Sequence, residues 1–351
     1  MTAQRLRVGL IGAGANTRLR HIPGLLALPN VEITAVCNRR PATTAAVASE
    51  FGIHKTHAQW QDLVTDPDID AIVIGTWPYL HCPITLAALD AGKHVLTEAR
   101  LCMNVDEAEQ MLAAAKAHPQ LVTQVVPSPF GLKGNEIMRE LLQAGYLGEM
   151  REVHVIGQNA ALADPAAPLS WRQDAALSGY NMLTLGIVHE TVLRWAPPPI
   201  RVLAQVHAFH ATRIDPESGV RRAVETPDSV QVLAILENGA RASYHFSGVT
   251  PVGQQMAIAL YGSEGFLHYD LNTDRILGAS KLHGGSTELK EIPISPEKAG
   301  GWQVESDFVS SIREGKPVRL TDFATGALYM GFTEAVALSA ERGAAVELPG
   351  D

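Results

Sequence analysis

The chain has 351 residues, 46% of them hydrophobic, and a formal net charge of −9 at pH 7. This length suits two domains of about 100 to 200 residues each. The negative charge excludes nucleic acid and anionic membrane as general partners. Cys37, Cys82 and Cys102 form no C-x-x-C pair, so we expect no metal site. No apolar leader or membrane span is recognisable, which favours a cytoplasmic protein.

The first elements predicted are a strand, a glycine turn and a helix. Residues 5–11 are a short apolar run, typical of a buried parallel strand, that stops at Gly12-Ala13-Gly14. Gly12 allows a tight turn and Gly14 lets the backbone approach a phosphate. The helix, predicted through Leu28, would present its positive end to the anion. We therefore expect this turn to bind a dinucleotide cofactor through Gly12, Gly14, Ala15 and Asn16.

A second strand is predicted over residues 31–36, followed by Cys37-Asn38-Arg39-Arg40. This point lies about 20 residues beyond the glycines, where such a unit contacts the adenosine ribose. An acidic residue here would bond the ribose 2′-hydroxyl and repel a 2′-phosphate. Asn38 instead offers a neutral acceptor, and Arg39 and Arg40 add two cations. The sequence therefore favours NADP over NAD.

Strands and helices continue to alternate through residue 126, which predicts an N-terminal Rossmann domain with a doubly wound parallel sheet. The predicted helices cover residues 41–51, 57–65, 83–90 and 105–117, and the predicted strands cover 70–76, 93–98 and 121–126. Loops at the carboxyl ends of such strands face the cofactor. We expect cofactor contacts from the loop residues Thr76, Trp77 and His81 and from Glu98, at the end of the next strand.

Residues 127–351 are predicted to form a C-terminal α/β domain with an open, mainly antiparallel sheet. Its predicted strands cover residues 150–157, 202–208, 229–236, 240–247, 256–261 and 265–270. Glu237-Asn238-Gly239 predicts a hairpin turn, and residues 262–265 a second one. Helices over residues 136–144, 183–195, 304–313 and 322–341 are predicted as well, the last three covering one face of the sheet. The other face would be buried against a second copy, so we expect a homodimer or homotetramer.

A series of motifs runs nearly from end to end of the chain. They are Gly12-x-Gly14, His21, Asp66-Pro67-Asp68-Ile69-Asp70-Ala71, His81, Ala88-Leu89-Asp90-Ala91-Gly92-Lys93-His94-Val95, Trp171-Arg172, Gly262-Ser263-Glu264-Gly265 and Arg313-Glu314-Gly315-Lys316-Pro317. Their order resembles that of the glucose-fructose oxidoreductase, inositol dehydrogenase and MocA family. The resemblance implies NAD or NADP as cofactor. It also implies hydride transfer at a hydroxyl or carbonyl carbon of a small-molecule substrate, such as a sugar, a sugar acid or a polyol.

Two departures from the family pattern affect the expected chemistry. Members usually carry Glu-Lys-Pro, whose lysine helps hold the substrate hydroxyl and the nicotinamide ribose, where this chain has Glu98-Ala99-Arg100. They also carry an Asp-x-x-x-His pair, whose histidine acts as general acid or base, where this chain has Thr184 and Val188. Neither Thr nor Val exchanges a proton near neutral pH. A positioned base contributes about 10² to 10⁴ in rate, so another group would have to replace it.

The candidate catalytic residues are His189, Tyr180 and Glu98. His189 lies one residue past the family's histidine, and one step along a helix turns a side chain by about 100°, so it would need a different register. A buried, hydrogen-bonded structural histidine is the alternative. Arg100 could bind an anionic substrate by a bidentate contact. Further candidates for substrate binding are Lys133, Trp171, Arg172, Tyr180 and His189. His207-x-x-His210 would place its histidines on opposite faces of a strand, which argues against a metal site.

Three functions are compatible with these residues. The first is an NAD(P)-dependent oxidoreductase with non-standard acid and base groups. The second is a lyase, hydrolase or epimerase that retains its cofactor and acts through transient oxidation. The third is a non-catalytic, NAD(P)-dependent binder or sensor.

Overall fold

A computed structural model describes residues 5–282 and 286–348 of the chain. The chain divides into two compact units, Met1–Pro127 with Gln303–Met330, and Ser128–Trp302 with Gly331–Asp351. Residues 127–351 were all predicted to belong to one domain, whereas the structure groups Gln303–Met330 with the first unit. None of the described helices has the length and apolar character needed to cross a membrane.

The first unit contains a six-stranded parallel sheet in the order β3-β2-β1-β4-β5-β6. Its strands are β1 (Leu6–Ile11), β2 (Val31–Cys37), β3 (Lys55–Thr56), β4 (Ala71–Ile74), β5 (His94–Thr97) and β6 (Thr123–Val125). This confirms the predicted doubly wound fold. The two-residue strand β3 was not predicted, because it is too short to show a hydrophobic pattern. The strand order reverses between β1 and β4, and in such sheets the reversal creates a crevice at the carboxyl ends of the strands.

The helices of the first unit cover the sheet. They are α1 (Ile22–Leu26), α2 (Pro41–Phe51), α3 (Trp60–Val64), α4 (His81–Asp90) and α5 (Val105–Ala117), with α9 (Val304–Glu314) and the start of α10 (Phe323–Arg342). α9 was predicted to cover the second sheet, but it packs on α1. Its first residue, Val304, accepts a hydrogen bond from Gln124 through its carbonyl. Its amphipathic pattern predicts one buried face without saying which unit covers that face.

The segment after the glycine turn is helical but not a regular α-helix. Thr17–His21 forms a π-helical turn, which passes directly into α1. The turn itself packs on the end of β4. Gly12 has a φ of +85°, and a Cβ added there would lie 2.6 Å from the backbone nitrogen of Thr76. Only glycine fits this position, as the sequence indicates.

The second unit contains a nine-stranded sheet in the order β16-β15-β14-β13-β7-β12-β11-β8-β17. Among the described strand pairs of this sheet only β7–β12 is parallel, so the sheet is mixed and mainly antiparallel, as predicted. Its strands are β7 (Met150–Gln158), β8 (Pro199–His207), β11 (Ser229–Leu236), β12 (Arg241–Ser247), β13 (Gln255–Gly262), β14 (Gly265–Asp270), β15 (Arg275–Ser280), β16 (Ser286–Ile292) and β17 (Val346–Glu347). β9 (Thr212–Ile214) and β10 (Arg221–Ala223) form a separate pair.

One face of the second sheet carries the hydrophobic core of its unit. The helices of this unit are α6 (Asn135–Gln143), α7 (Ala175–Ser178), α8 (Leu185–Leu193) and the second half of α10. Val230, Val232 and Ala234 of β11 belong to the core, as does Val188 of α8. Side chains alternate along a strand, so Leu233 points to the opposite face, where it is 62% exposed. Its cross-strand partner Leu203 is 45% exposed on the same face.

Candidate active site

The glycine turn joins the ends of β1 and β2. The backbone N–H of Ala13 donates to Oδ1 of Asn38 at 2.7 Å, and the N–H of Gly12 donates to the carbonyl of Cys37 at 2.9 Å. A Cβ on Gly14 would meet nothing closer than the Gly75 carbonyl at 3.9 Å, so the space there is open. Among the described residues, the N–H groups of Ala15 and Asn16 have no acceptor. The turn thus offers donors to an anion, which fits the pyrophosphate of a dinucleotide.

The end of β2 presents amide and guanidinium donors. The oxygen of Asn38 is used by Ala13, so its amide nitrogen is the group left for a ligand. This corrects the expectation that Asn38 is a neutral acceptor. The guanidinium of Arg39 lies 5.2 Å from the centre of the Trp77 ring, within cation–π distance.

A cavity of about 530 Å³ extends from the glycine turn across the ends of β2 and β4. It brings together Gly12, Gly14, Asn38, Arg39, Arg40, Thr76 and Trp77, all predicted to contact the cofactor. Tyr79 also lines it, and its position predicts that it either flanks the nicotinamide ring or packs the loop after β4. Trp60 lines the cavity as well and was not singled out in the sequence. Its signal was its position shortly after β3, where an aromatic side chain can cover a planar base.

Glu98 lies beyond the carboxyl end of β5, and its N–H donates to the carbonyl of Ile74. Its Oε1 accepts two hydrogen bonds, from Asn16 Nδ2 at 2.5 Å and from His21 Nε2 at 3.0 Å. No described residue bonds to Oε2, and the side chain is 16% exposed. Burial alone would raise the pKa of Glu98, but these two hydrogen bonds outweigh it and bring the pKa below its ordinary value. Glu98 is therefore an ionised carboxylate at neutral pH.

His21, the last residue of the π-helical turn, is completely buried between two carboxylates. Besides Glu98, it contacts Glu305 of α9, whose Oε1 lies 2.5 Å from Nδ1. Burial lowers the pKa of His21, but its hydrogen bonds to Glu305 and Glu98 raise it overall to about 9. In the sequence, His21 stands out only as part of the family pattern. Glu305 is 284 residues away, so no local pattern could have predicted the contact.

The structure does not bring His81 to the cavity. His81 is the first residue of α4 rather than a loop residue, and its ring is buried. Its Nε2 lies 3.0 Å from the carbonyl of Thr76 and its Nδ1 lies 2.9 Å from that of Arg100. Burial lowers the pKa of His81, so the ring is neutral at physiological pH and can donate to only one of these carbonyls. These contacts fix the chain around the ends of β4 and β5. Arg100, the residue predicted to bind an anionic substrate, is itself buried.

His189 does not have the environment of a catalytic residue. It is 1% exposed within the core of the second unit, where its ring stacks on Phe332 with centroids 3.8 Å apart. Its Nδ1 lies 3.0 Å from the hydroxyl of Tyr244. Burial lowers the pKa of His189 to about 3, so the ring is neutral. The different helical register that a catalytic His189 would need is therefore not observed. The alternative, a buried and hydrogen-bonded structural histidine, applies.

The remaining candidates lie in the second unit. Tyr180 is 38% exposed in the segment between α7 and α8, and Lys133 is exposed in the segment just before α6. The guanidinium of Arg172 stacks over the ring of its neighbour Trp171, with 4.3 Å to the centroid. These residues are accessible to a small molecule.

Comparisons with known proteins agree with this architecture. Residues 6–126 match the GFO/IDH/MocA oxidoreductase family with an NAD-binding Rossmann fold, and residues 136–268 match a C-terminal domain of the same family. Levoglucosan dehydrogenase from Pseudarthrobacter phenanthrenivorans is 24% identical over 99% of each chain. A 1,5-anhydro-D-fructose reductase from Ensifer adhaerens is 27% identical over 83% of each chain. A solved complex of levoglucosan dehydrogenase with NADH and L-sorbose has a TM-score of 0.88 at 23% identity, covering 99% of this chain and all of that one.

Proposed function

The chain belongs to the glucose-fructose oxidoreductase, inositol dehydrogenase and MocA family of oxidoreductases, and we propose that it acts on a hydroxyl or carbonyl carbon of a sugar, sugar acid or polyol. The observation that carries this proposal is the arrangement at the strand-order reversal. The dinucleotide cavity lies on the β2 side, and the Glu98 carboxylate lies at the end of β5, on the other side of the reversal. A bound nicotinamide cofactor would supply the hydride chemistry.

Glu98 is the group we propose to handle the substrate proton. The family's usual acid and base positions carry Thr184 and Val188 here, and His189 is buried in the core. Oε2 of Glu98 is available to accept a hydrogen bond from a hydroxyl, because both described contacts of this carboxylate use Oε1. Tyr180 is a second candidate, and Lys133, Trp171 and Arg172 are candidates for substrate binding.

We also propose that NADP is preferred over NAD. The supporting feature is the set of donors at the end of β2, namely the amide of Asn38 and the guanidinium groups of Arg39 and Arg40. A 2′-phosphate accepts hydrogen bonds from such groups and is attracted to their positive charge.

A homo-oligomer is the third part of the proposal. Leu203 and Leu233 lie opposite each other on the exposed face of the second sheet. Burying such apolar surface contributes about 25 cal/mol per Å². A second copy could cover this face with the same residues, because in a two-fold symmetric dimer the same surface of each copy forms the interface.

The activity can be tested by mixing the purified protein with NADPH or NADH, and with NADP⁺ or NAD⁺, and adding a panel of sugars, sugar acids and polyols. The panel includes levoglucosan, inositol and 1,5-anhydro-D-fructose, which the names of relatives suggest. A substrate-dependent change in nicotinamide absorbance would support the proposal. Product without net cofactor change would instead indicate transient oxidation in a lyase, hydrolase or epimerase. Tight cofactor binding without any product would indicate a sensor.

A further inference from the structure

The strongest unassigned feature of the first unit is the side-chain triad of Glu98, His21 and Glu305. Its members come from the end of β5, from the π-helical turn and from α9, so the fold alone brings them together. The imidazole is fully buried, and the Glu305 side chain is only 4% exposed. Both ring nitrogens lie within hydrogen-bond distance of a carboxylate oxygen.

The number of protons on the ring follows from these contacts. A neutral imidazole has a single N–H, so it can donate to only one of the two carboxylates. An imidazolium donates to both, and each hydrogen bond is then charge-assisted. The raised pKa of His21 agrees with the charged form at neutral pH. The other groups near Glu98 are the amide of Asn16, which donates to it, and the ring of His81, whose lowered pKa makes it neutral.

Helix α1 is built to admit the second carboxylate. Gly24 lies in the middle of α1, and a Cβ added there would lie 2.7 Å from Oε2 of Glu305 and 2.9 Å from its Cγ. Glycine lowers helix stability relative to alanine. Here its missing side chain leaves the space that the Glu305 carboxyl group occupies beside α1.

The effect of the triad falls on the carboxylate of Glu98. Two donors hold Oε1, one from Asn16 beside the glycine turn and one from His21. With one oxygen fixed, the orientation of the carboxylate is set. Glu98 lies just beyond the carboxyl end of β5. Its Oε2 has no described partner, and its side chain as a whole is 16% exposed.

We propose that His21, held by Glu305, is a positioning residue that fixes Glu98 so that Oε2 accepts a hydrogen bond from a hydroxyl of the bound sugar or of the nicotinamide ribose. This inference rests on the proposed function. His21 and Glu305 do not touch the ligand themselves. They act by keeping the Glu98 carboxylate ionised and oriented, and they lose this effect when the ring of His21 loses its second proton.

Three substitutions weaken the triad in different ways. Glu305→Gln keeps the shape but removes a negative charge from beside His21, which lowers the pKa of that ring. Gly24→Ala pushes the carboxylate of Glu305 away from its position but leaves every ionisable side chain chemically unchanged. His21→Gln removes the ring. Gly331→Ala is the matched control for Gly24→Ala, because Gly331 is also helical and a Cβ there meets nothing within 4 Å. His94→Gln is the control for losing a histidine, because His94 lies at the opposite end of β5 from Glu98.

The measurements are kcat and KM against pH for a sugar that turns over, the Kd for NADPH, and thermal unfolding. We expect kcat/KM of Glu305→Gln and Gly24→Ala to fall about tenfold or more. A positioned base contributes a rate factor of about 10² to 10⁴, and weaker positioning removes part of this factor. We also expect the alkaline limb of the Glu305→Gln profile to move to lower pH by about one unit. The controls should retain the wild-type profile. A profile that does not move, with kcat/KM and the Kd for NADPH both within twofold of wild type, would overturn the proposal.

The same variants distinguish the two possible hydroxyls. If Oε2 accepts the ribose hydroxyl, NADPH binding weakens in Glu98→Gln and in the triad variants. If it accepts the sugar hydroxyl, NADPH binding stays constant and only kcat/KM falls.

A readout independent of activity is nitrogen NMR of the His21 ring, assigned by comparison with His21→Gln. We expect both ring nitrogens to be protonated near neutral pH in the wild type. A neutral ring would overturn the proposal whether or not any sugar is turned over. If no sugar in the panel reacts, the proposed function fails, and the protonation of the His21 ring then decides the inference. Weaker NADPH binding in the triad variants would also support it and would identify the ribose hydroxyl as the donor to Oε2.

Discussion

The backbone N–H of Ala13 donates to the side-chain oxygen of Asn38 at 2.7 Å, so the side-chain amide of Asn38 links the glycine turn to the end of β2. This contact determines which end of the Asn38 side chain a cofactor meets. The oxygen is used inside the protein, and the NH₂ group is the one left for the adenosine ribose. A single residue thus supports the phosphate-binding turn and contributes to the choice of cofactor.

Asn38→Asp should reverse the cofactor preference. Aspartate can keep one oxygen for the N–H of Ala13 and turn the other to the ribose, where it would accept from a 2′-hydroxyl and repel a 2′-phosphate. We expect the ratio of the Kd for NADPH to that for NADH to rise about tenfold or more, equivalent to about 1.4 kcal/mol. Fluorescence titration measures both constants. Asn38→Ala is the control, because it loses the turn contact without adding a negative charge, so it should weaken both cofactors and raise this ratio less than Asn38→Asp does. Tighter binding of NADH by the wild type would contradict the NADP proposal at the outset.

Arg39→Gln should weaken NADPH more than NADH, because the guanidinium would face the extra phosphate. We expect about a tenfold loss for NADPH, together with a shallower dependence of its Kd on salt concentration. Trp77→Leu provides the comparison. The indole lies under Arg39 and lines the same cavity but carries no charge, so its loss should affect the two cofactors equally. Equal losses in both variants would argue against a phosphate contact by Arg39.

His189→Leu should change the pH dependence of stability without removing activity. The pKa of His189 is about 3 in the folded protein, against about 6.5 for an unperturbed histidine. The unfolded chain therefore binds a proton between these values that the folded protein does not. The contribution of His189 is complete above pH 6.5 and is lost as the pH falls from there towards 3, by up to about 1.4 kcal/mol per unit.

Chemical unfolding at several pH values measures this effect. The wild type should lose stability more steeply than His189→Leu as the pH falls below 6.5. Turnover should persist in the fraction of the variant that is folded. Complete loss of turnover in a folded variant, with cofactor binding unchanged, would restore His189 as a catalytic candidate.

Leu233→Lys should convert the proposed oligomer to monomers. A charge on the exposed face cannot be buried against its own image without a large desolvation cost. Light scattering after gel filtration measures the mass of the particle. Val252→Lys is the control, since Val252 is 84% exposed in the loop after β12. A monomeric wild type would contradict the oligomer proposal.

Local patterns in the sequence were sufficient for part of the molecule. The first sheet and the glycine turn follow from short runs of residues, because a buried parallel strand and a tight turn each have their own local pattern. Asn38, Arg39 and Arg40 were found for the same reason, since they directly follow a strand. The polarity of the Asn38 amide was not predictable, because it depends on the N–H of Ala13, 25 residues away.

Other features depend on contacts that no sequence window contains. Glu305 reaches His21 only because α9 packs on α1, and an amphipathic helix does not specify its partner. His189 was considered for catalysis because of its place beside a family motif. Its one-residue offset turns the ring to Phe332 and Tyr244 in the core. His81 was placed in a loop, but it begins α4, where its ring is enclosed by backbone carbonyls.

Gly24 and Glu305 also bear on how this chain can change over evolution. The helix has no side chain at one position because the carboxylate fills that volume from another helix, so the two positions are expected to covary. A homologue with alanine at the position of Gly24 should carry a shorter residue than glutamate opposite it. The histidine between the two acids would then have one acidic neighbour instead of two. The pH range of activity could therefore differ between homologues whose ligand-contacting residues are identical.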